Sequence, residues 1–408
     1  MWVVKMKYLK LSKEVKLFIT VIFLFGLTSS AFNGFLGIYV KEVGYNEAVV
    51  GGLLSLRRFS VAGSAIVMAL VASRFGRRNA LAFGLTTIGL SAILMVSTKN
   101  IWLMRFFCIT SGIGQSTLMT FEAPFLFSKT NEETRMHAFS ASFSARNAAF
   151  MTGSLITGLL ADVFGTIFLA DYLGVRYALY IVSLSSLIAL IPLYLIKGEK
   201  TRNEQKIEFS KIKEVYSIKL VKMLSYTMII GFGAGMIVPF FGIYLKYMLD
   251  LSDSGVGSIL AIAQLGTVLG GLTVPYLMGR FGRYQLVTIL QMGSIPFLIL
   301  IGVPMNIVLV SLAFFFRSSL MNMAQPILQN LYMELADDTY RPLVSSLRST
   351  TNNLARAFGI LLGGFMMEHI SYSSPYAVTI LCYLVGTILF RNIFKKEKLK
   401  EKELLISG

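Results

Sequence analysis

The chain has 408 residues, of which 55% are hydrophobic and only 14% charged, and its mean hydropathy is +0.68. A soluble protein of this size carries more charge on its surface, so the composition excludes an ordinary soluble globular domain. The two cysteines and two histidines show no disulfide framework, metal-ligand spacing or catalytic set. The sequence therefore predicts no metal, no cofactor and no enzyme activity.

Twelve apolar segments follow one another along the chain. Each has about 20 residues or more, enough to cross a hydrocarbon core of about 30 Å. Backbone groups in lipid have no water to bond, so each segment is predicted to be a helix; barrel strands would alternate polar and apolar residues, and these do not. The predicted spans are 16–40, 49–72, 78–97, 101–127, 138–161 and 177–196, then 218–246, 255–278, 284–303, 306–331, 342–367 and 375–394.

The two sets of six spans are repeats of each other. Arg74-Phe75-Gly76-Arg77 recurs 206 positions later as Arg280-Phe281-Gly282-Arg283. The predicted fold is therefore an all-α membrane protein with twelve transmembrane helices in two pseudo-symmetric six-helix bundles, a design typical of transporters whose binding site lies between the halves. The bundles are predicted at 1–197 and 218–408, with a polar linker at 198–217. The same shift pairs Gly51 with Gly257, Asn100 with Asn306, Asn147 with Asn353 and Gly158 with Gly364.

Basic residues outside the spans indicate the orientation. They gather at the amino terminus, the two RFGR loops, the linker and the carboxyl tail, whereas the opposite loops hold only Lys41, Lys99, Arg176 and Lys246. The positive-inside bias predicts that both termini lie in the cytoplasm and that the protein is integral to the plasma membrane. This bias accounts for the net charge of +17 without nucleic acid as a partner. The basic tail is instead predicted to contact anionic membrane lipid.

Two six-helix halves with a basic loop after the second and eighth spans resemble the major facilitator superfamily. The family's loop motif is Gly-x-x-x-Asp-Arg-x-Gly-Arg-Arg/Lys, and its second half matches residues 73–78. Ser73 replaces the Asp and Ala69 the leading Gly, and the repeat at 279–283 also lacks the Asp. The resemblance covers essentially the whole chain and implies a monomeric secondary transporter of a small-molecule substrate.

The resemblance also implies that the RFGR loops help to close the gate on the cytoplasmic side. Gly76 permits a turn with positive φ, and neighbouring arginines can reach carboxylates at helix ends, with Glu132, Glu133, Glu334, Asp337 or Asp338 as partners. The alternative is that these arginines serve only topology. The predicted gate residues are Arg74, Gly76, Arg77, Arg135, Arg280, Gly282, Arg283, Glu334 and Arg341.

Cations inside the predicted spans far outnumber anions. Glu122 is the one acid inside a span, with Glu334 at an edge. A charge at mid-membrane costs about 3 kcal/mol or more, so such residues face a wet cavity or a partner. The excess indicates that some of the arginines inside the spans meet a substrate, a lipid phosphate or carbonyl oxygens, and guanidinium groups suit planar anions such as carboxylate or phosphate. Seven arginines lie inside the spans away from the span ends, namely Arg57, Arg58, Arg105, Arg146, Arg317, Arg348 and Arg356; these are called the in-span arginines.

Spacing selects candidates for a substrate cavity. Arg348, Asn352 and Arg356 recur every four residues and form one stripe on span 11, and the duplication places Arg146 of span 5 at the depth of Asn352. The resemblance implies that both spans line the central cavity. The alternative is that Arg146 and Arg348 only bond helix to helix. The predicted cavity set is completed by Arg57, Asn33, Gln115 and Gln264.

Glu122 has two interpretations. A carboxyl group in low dielectric holds a proton readily and suits a proton carrier; alternatively, Glu122 forms an ion pair with Arg146 or a span-11 arginine. Three functions stay open. The first is a secondary transporter of a small organic or inorganic anion, and the second a proton-coupled exporter of amphipathic or drug-like compounds. The third is a transporter-like receptor or scaffold that moves nothing.

Overall fold

A computed structural model describes residues 11–196, 217–303, 306–335, 340–395 and 397. Within these ranges the structure describes only the backbone of residues 66, 69–75 and 342. The predicted linker at 198–217 also lies outside the described residues, except for Ser217.

The described ranges contain twelve long α-helices and no strand, which confirms the predicted fold class. The first six are α1 Lys13–Glu42, α2 Glu47–Phe75, α3 Arg77–Ser97, α4 Ile101–Ser128, α5 Glu132–Phe168 and α6 Asp171–Ile188, which a short helix Leu190–Tyr194 continues. The second six are α7 Ile218–Ile237, α8 Asp253–Phe281, α9 Arg283–Gly302, α10 Ile307–Met333, α11 Arg341–His369 and α12 Ser374–Ile393.

Nine of the twelve helices are long and apolar enough to cross a membrane, as judged on the described residues. The other three, α2, α4 and α11, contain five of the seven in-span arginines. Charge therefore concentrates on particular helices. These helices need a polar environment or partners inside the protein.

Three helices differ from their predicted spans by more than one turn, and one of these, α6, begins at Asp171, six residues before predicted position 177. α5 begins six residues before predicted position 138, because Asn131 and Thr134 form a reciprocal cap at its start. α7 loses regular geometry after Ile237, where a 3₁₀ turn at Val238–Phe240 and a π-helical turn at Tyr244–Met248 replace it. Pro239 within the first turn lacks a backbone N–H, so regular helical bonding is interrupted there.

The sequence repeat reproduces local structure. Asn100 and Asn306 are both N-caps, whose side chains accept hydrogen bonds from backbone N–H groups at 2.9 Å and 2.7 Å. Gly76 and Gly282 each directly precede a helix, and their φ angles are positive, at 84° and 72°. Only glycine adopts this conformation at little cost, so each RFGR motif makes the same turn between two helices.

The helices group into two compact units. Unit 1 comprises the described residues up to 196 together with Phe241–Ala261, and unit 2 comprises 217–240 and the described residues from Ile262 onward. In unit 1, α1 packs on α5 and α6, and α4 packs on α2 and α3. In unit 2, the equivalent helix α7 packs on α11 and α12, and α9 packs on α10 and α12. The repeat in sequence is therefore a repeat in packing.

Small hydroxyl residues bond neighbouring helices inside each unit. In unit 1, the Ser30 and Ser154 hydroxyls are 2.8 Å apart and join α1 to α5. In unit 2, the Thr379 hydroxyl donates to the Gly233 carbonyl at 2.9 Å and joins α12 to α7. Lipid is as apolar as leucine, so helices in a membrane associate through close packing and such bonds.

The segment Phe241–Ala261, here called the α7–α8 segment, packs in unit 1 although it follows the predicted linker. Glycines allow its close approach to α1 and α5. A Cβ atom added to Gly37 would lie 2.8 Å from Ile243 Cδ1. A Cβ atom added to Gly158 would lie 3.1 Å from the carbonyl carbon of Asp253. Packing thus assigns to the first unit a segment that the sequence predicts in the second bundle.

Candidate functional site

Glu122 on α4 contacts two residues of α5. Its Oε2 forms an ion pair with Arg146, and its Oε1 accepts a hydrogen bond from the Ser142 hydroxyl at 2.7 Å. Ser142 and Arg146 are four residues apart and so share a helix face. The Glu122 side chain is 17% exposed and that of Arg146 is 41% exposed. The contact required by the ion-pair interpretation of Glu122 is therefore present.

Arg57 lies buried in the contact between α2 and α4. It is 5% exposed, and its Nε has no hydrogen-bond partner among the described residues. The backbones approach closely there, since a Cβ on Gly112 would stand 3.3 Å from the Arg57 carbonyl carbon. Farther along, the Ser64 hydroxyl donates to that of Ser116 at 2.8 Å. Arg57 is thus a buried arginine whose Nε lacks a hydrogen-bond partner among the described residues.

Arg348 on α11 contacts neutral groups. Its Nη2 donates to the Gln325 side-chain oxygen at 3.1 Å, and its guanidinium lies 5.1 Å from the centre of the Tyr332 ring. Both partners belong to α10. An amide and an aromatic ring therefore hold the guanidinium of Arg348 in place, but neither of them neutralises its positive charge.

Arg356, two turns further along α11, lies near a second guanidinium. Its Nε is buried without a partner among the described residues, and Arg317 and Tyr383 are within electrostatic range. Arg317 Nη2 donates to the Tyr383 hydroxyl at 2.9 Å. Asn352, the middle of the predicted stripe, instead packs against α7, where its Oδ1 lies 2.9 Å from the position of a Cβ on Gly231.

Asn33, Gln115 and Gln264 complete the predicted cavity set. Asn33 and Gln264 are half-buried and Gln115 is buried. No hydrogen bond within the described part of the chain links Asn33 or Gln115 to Arg57 or Arg146. Their role as cavity residues stays a prediction.

Around the second RFGR turn, one predicted ion pair is present. Arg283 contacts Glu334 at the end of α10, and its Nη2 also donates to the Tyr284 hydroxyl at 2.9 Å. Arg280 lies 5.5 Å from the Phe281 ring. Arg341 donates to the Met333 carbonyl at 3.1 Å.

Two arginines around the first RFGR turn contact aromatic and backbone groups. The side chain of Arg74, like Asp337 and Asp338 of the second half, lies outside the described residues. Arg77 is half-buried, and Arg135 stacks 3.7 Å from the Phe127 ring. Arg78, which the sequence interpretation passed over, donates to the Ile196 carbonyl at 3.1 Å. Arg78 stands at the last position of the family motif, where a basic residue is required, and this position could have indicated its role.

A charge swap tests the Arg283–Glu334 pair. The two side chains are 34% and 50% exposed, so solvent screening limits the pair to about 0.2–1 kcal/mol. We expect Arg283→Glu and Glu334→Arg each to lower the melting temperature of the purified protein, and the double variant to recover part of the loss. Independent, additive losses in the double variant would show that the two charges do not interact.

Sequence interpretation missed a charged cluster at the other end of unit 1, away from the RFGR turn. Lys246 contacts Glu42 and lies 2.9 and 3.0 Å from the two carboxylate oxygens of Asp253. Asp162 accepts hydrogen bonds from the backbone N–H groups of Asp253 and Ser254 at 2.9 and 3.0 Å. We call Glu42, Asp162, Lys246 and Asp253 the Glu42 cluster. It ties the α7–α8 segment to α1 and α5.

The duplication contained a signal for this cluster. Position 253 is the repeat of position 47, and Glu47 forms an ion pair with Lys41 at the end of α1. Each half therefore has a lysine shortly before an acid at the start of its second helix, although the repeat of Lys41 is Tyr247 and Lys246 lies in the π-helical turn after α7. Glu42 breaks the pattern, because position 248 in the second half is Met.

Twelve helices, repeated basic turns and charged side chains inside the helices define a polytopic membrane transporter. The model of the Major Facilitator Superfamily matches the chain twice, over residues 18–227 and 223–405. These two matches include nearly all of the chain. The chain belongs to the Major Facilitator Superfamily, as the loop motif and the twelve spans predict.

Known proteins agree with this assignment. Multidrug resistance protein 1 of Bacillus subtilis (strain 168) is 22% identical over 325 residues, which cover 78% of this chain and 79% of that protein. The structure of the nucleoside transporter NupG matches with a TM-score of 0.76 at 14% identity, covering 94% of this chain and 100% of the other. The structure of the xylose transporter XylE from E. coli matches with a TM-score of 0.74 at 16% identity. This match covers 96% of this chain and 99% of the other. At these identities the structural matches show the fold.

The protein is accordingly an integral membrane transporter.

Proposed function

We propose that this protein is a secondary transporter that moves a small organic or inorganic anion by alternating access. The observation that carries this proposal is the cation excess of the second half. Arg317, Arg348 and Arg356 lie in its predicted spans, which contain no Asp or Glu. Charges inside a membrane are costly unless they meet a partner or water, and an anionic solute supplies the missing negative charge.

The contacts of Arg348 and Arg356 support an anion as the solute. Arg348 is held by the neutral Gln325 and Tyr332, so its charge stays available. Arg356 lies near a second arginine, and such a pair repels itself without a nearby anion. Arg146 differs, because its ion pair with Glu122 already neutralises it. We therefore assign anion recognition to α11 and a structural or coupling role to Arg146.

The orientation follows from the positive-inside bias. We propose that both termini and the linker face the cytoplasm, that the protein acts as a monomer in the plasma membrane, and that the RFGR turns lie on the cytoplasmic side. The α1–α2 loop then faces outward. An impermeant thiol reagent added to sealed cells should label Asn46→Cys, and protection of this cysteine until the cells are opened would reverse the orientation.

A second candidate is a proton-coupled exporter of amphipathic or drug-like compounds. One relative, matched over 78% of this chain, is named Multidrug resistance protein 1, which favours this candidate. Glu122 would then be the proton carrier, loaded when the Arg146 contact opens. The two candidates differ in the charge of the solute, because a cationic drug would be repelled by Arg348 and Arg356.

A counterflow experiment separates the candidates. Proteoliposomes loaded with one unlabelled compound take up the same labelled compound only if the protein exchanges it. We expect counterflow with at least one small carboxylate or phosphate ester and none with lipophilic cations; liposomes without protein give the background. Counterflow of lipophilic cations alone would establish the exporter, and no counterflow with either class would favour a receptor or scaffold.

A further inference from the structure

The Glu42 cluster has more negative than positive charge in a nearly closed space. The side chains of Glu42, Lys246 and Asp253 are 9%, 13% and 5% exposed. One ammonium group therefore serves two buried carboxylates. Both oxygens of Asp253 lie within hydrogen-bond distance of Lys246, whereas Glu42 uses one oxygen only, since its Oε2 is buried and has no partner among the described residues.

Apart from Lys246, the charged groups of the described chain that act most strongly on Glu42 are acids. Asp162 on α5 and Asp171 at the start of α6 both contribute negative potential to the cluster. Lys41, the neighbour of Glu42 on α1, contacts Glu47 on α2 and lies 4.2 Å from the Tyr247 ring. A buried anionic oxygen without a hydrogen-bond donor is strongly destabilised, which is the cost in question here. A proton on Oε2 of Glu42 removes this cost and leaves one ammonium facing one carboxylate.

Glu42 is not needed for the packing that the two halves share. The ion pairs Lys41–Glu47 and Lys246–Asp253, whose acids are repeats of each other, already hold the start of the second helix in each half. Position 248, the repeat of position 42, is Met. Glu42 is therefore an additional acid, placed against a lysine that already has a carboxylate partner. Such an arrangement suits a group that changes protonation better than one that only holds helices together.

We propose that Glu42 is a proton-binding site, which takes up a proton when the α7–α8 segment packs on α1 and α5 and releases it when the segment separates. Separation exposes Oε2 to water, which solvates the carboxylate, while packing buries it without a donor. The packed arrangement therefore binds the proton more tightly, and by linkage a fall in pH stabilises it. With the orientation proposed above, the proton comes from the outer side. Neither the chemistry nor the direction of the transported solute enters this linkage.

Labelling of a cysteine in the segment tests the proposal. Val256 is fully buried, so Val256→Cys reports separation of the segment after Cys108 and Cys382 have been replaced by Ala. The purified full-length protein in lipid nanodiscs is treated with a maleimide at about pH 5 and at about pH 8. Each rate is divided by that of the exposed Asn46→Cys reporter, because thiol reactivity itself depends on pH.

We expect the normalised rate to be about 5-fold or more lower at the acidic pH, the scale of a coupling between two states. Glu42→Gln imitates the protonated form and should label slowly at both pH values. Glu47→Gln, a matched acid in the neighbouring ion pair, should keep the pH dependence of the parent. Gly158→Ala is the reference for a separated segment, because its methyl group presses on the Asp253 backbone and should give fast labelling throughout.

Glu42→Met, which copies the residue at position 248, is a second neutral variant should Glu42→Gln not fold. Infrared difference spectra of the parent between the two pH values should also show a protonated carboxyl band that the neutral variant lacks. The proposal would be overturned if the normalised labelling rate of the parent did not depend on pH or increased at the acidic pH. It would also be overturned if the neutral variant kept the pH dependence of the parent.

Discussion

Replacing Arg146 with Gln is expected to destabilise the purified transporter by about 1–3 kcal/mol, because the change leaves the carboxylate of Glu122 without its cation. Glu122 is 17% exposed, but Arg146 is 41% exposed, so the loss should fall below that of a fully buried pair. The melting temperature of the detergent-purified protein measures the effect. The double variant Glu122→Gln with Arg146→Gln should recover much of the stability, since no charge is left unpaired.

Transport assays on Glu122→Gln separate the two interpretations of this residue. Both oxygens of Glu122 accept hydrogen bonds, from Arg146 and from Ser142, which suits a lasting ion pair. We therefore expect gradient-driven accumulation and solute exchange to weaken together. A proton carrier would behave differently, because exchange needs no net proton movement: accumulation would be lost while exchange persisted. That second pattern would assign proton coupling to Glu122.

Replacing Arg348 or Arg356 with Gln is expected to raise the apparent KM for the transported anion by about 10- to 150-fold. This range corresponds to about 1.5–3 kcal/mol, the contribution of a hydrogen bond to a charged group. Lys at either position should restore only part of the affinity, because an ammonium cannot make the planar two-point contact of a guanidinium. The measurement uses the anion that gives counterflow in proteoliposomes.

Arg391→Gln is the matched control, because Arg391 is an exposed arginine near the end of α12 and its loss changes the net charge equally. Its KM should stay within about twofold of the parent value, since exposed charges contribute little. Arg348 and Arg356 would be assigned to helix packing if their variants transported with the parent KM. An equal rise in KM for Arg391→Gln would instead indicate a general effect of net charge.

Local features of the chain were predictable because their causes are local. Runs of about 20 apolar residues indicate a helix in lipid wherever they occur. The asparagines at 100 and 306 cap the helices that follow them, and the glycines at 76 and 282 take the positive φ that the RFGR turns require. These effects involve residues two or three positions apart. The irregular end of α7 was not predicted, because the apolar run continues through Pro239.

The partners of the charged residues were only partly predictable. The Arg283–Glu334 and Arg146–Glu122 contacts were among the predicted combinations, since each joins adjacent helices of the chain. Asn352 was predicted in a cavity-facing stripe with Arg348 and Arg356, but it packs on Gly231 of α7. Helical periodicity shows which residues share a face. It does not show which neighbouring helix covers that face.

The sequence alone determined the number of helices, their approximate ends, the twofold repeat and the excess of in-span arginines, because hydrophobic length and repeated motifs act along the chain. Only the tertiary structure decided that the α7–α8 segment packs in unit 1 and that Lys246 serves both Glu42 and Asp253. Glu42 and Lys246 are 204 positions apart. Contacts over such a separation depend on how whole helices pack, and no local pattern records that packing.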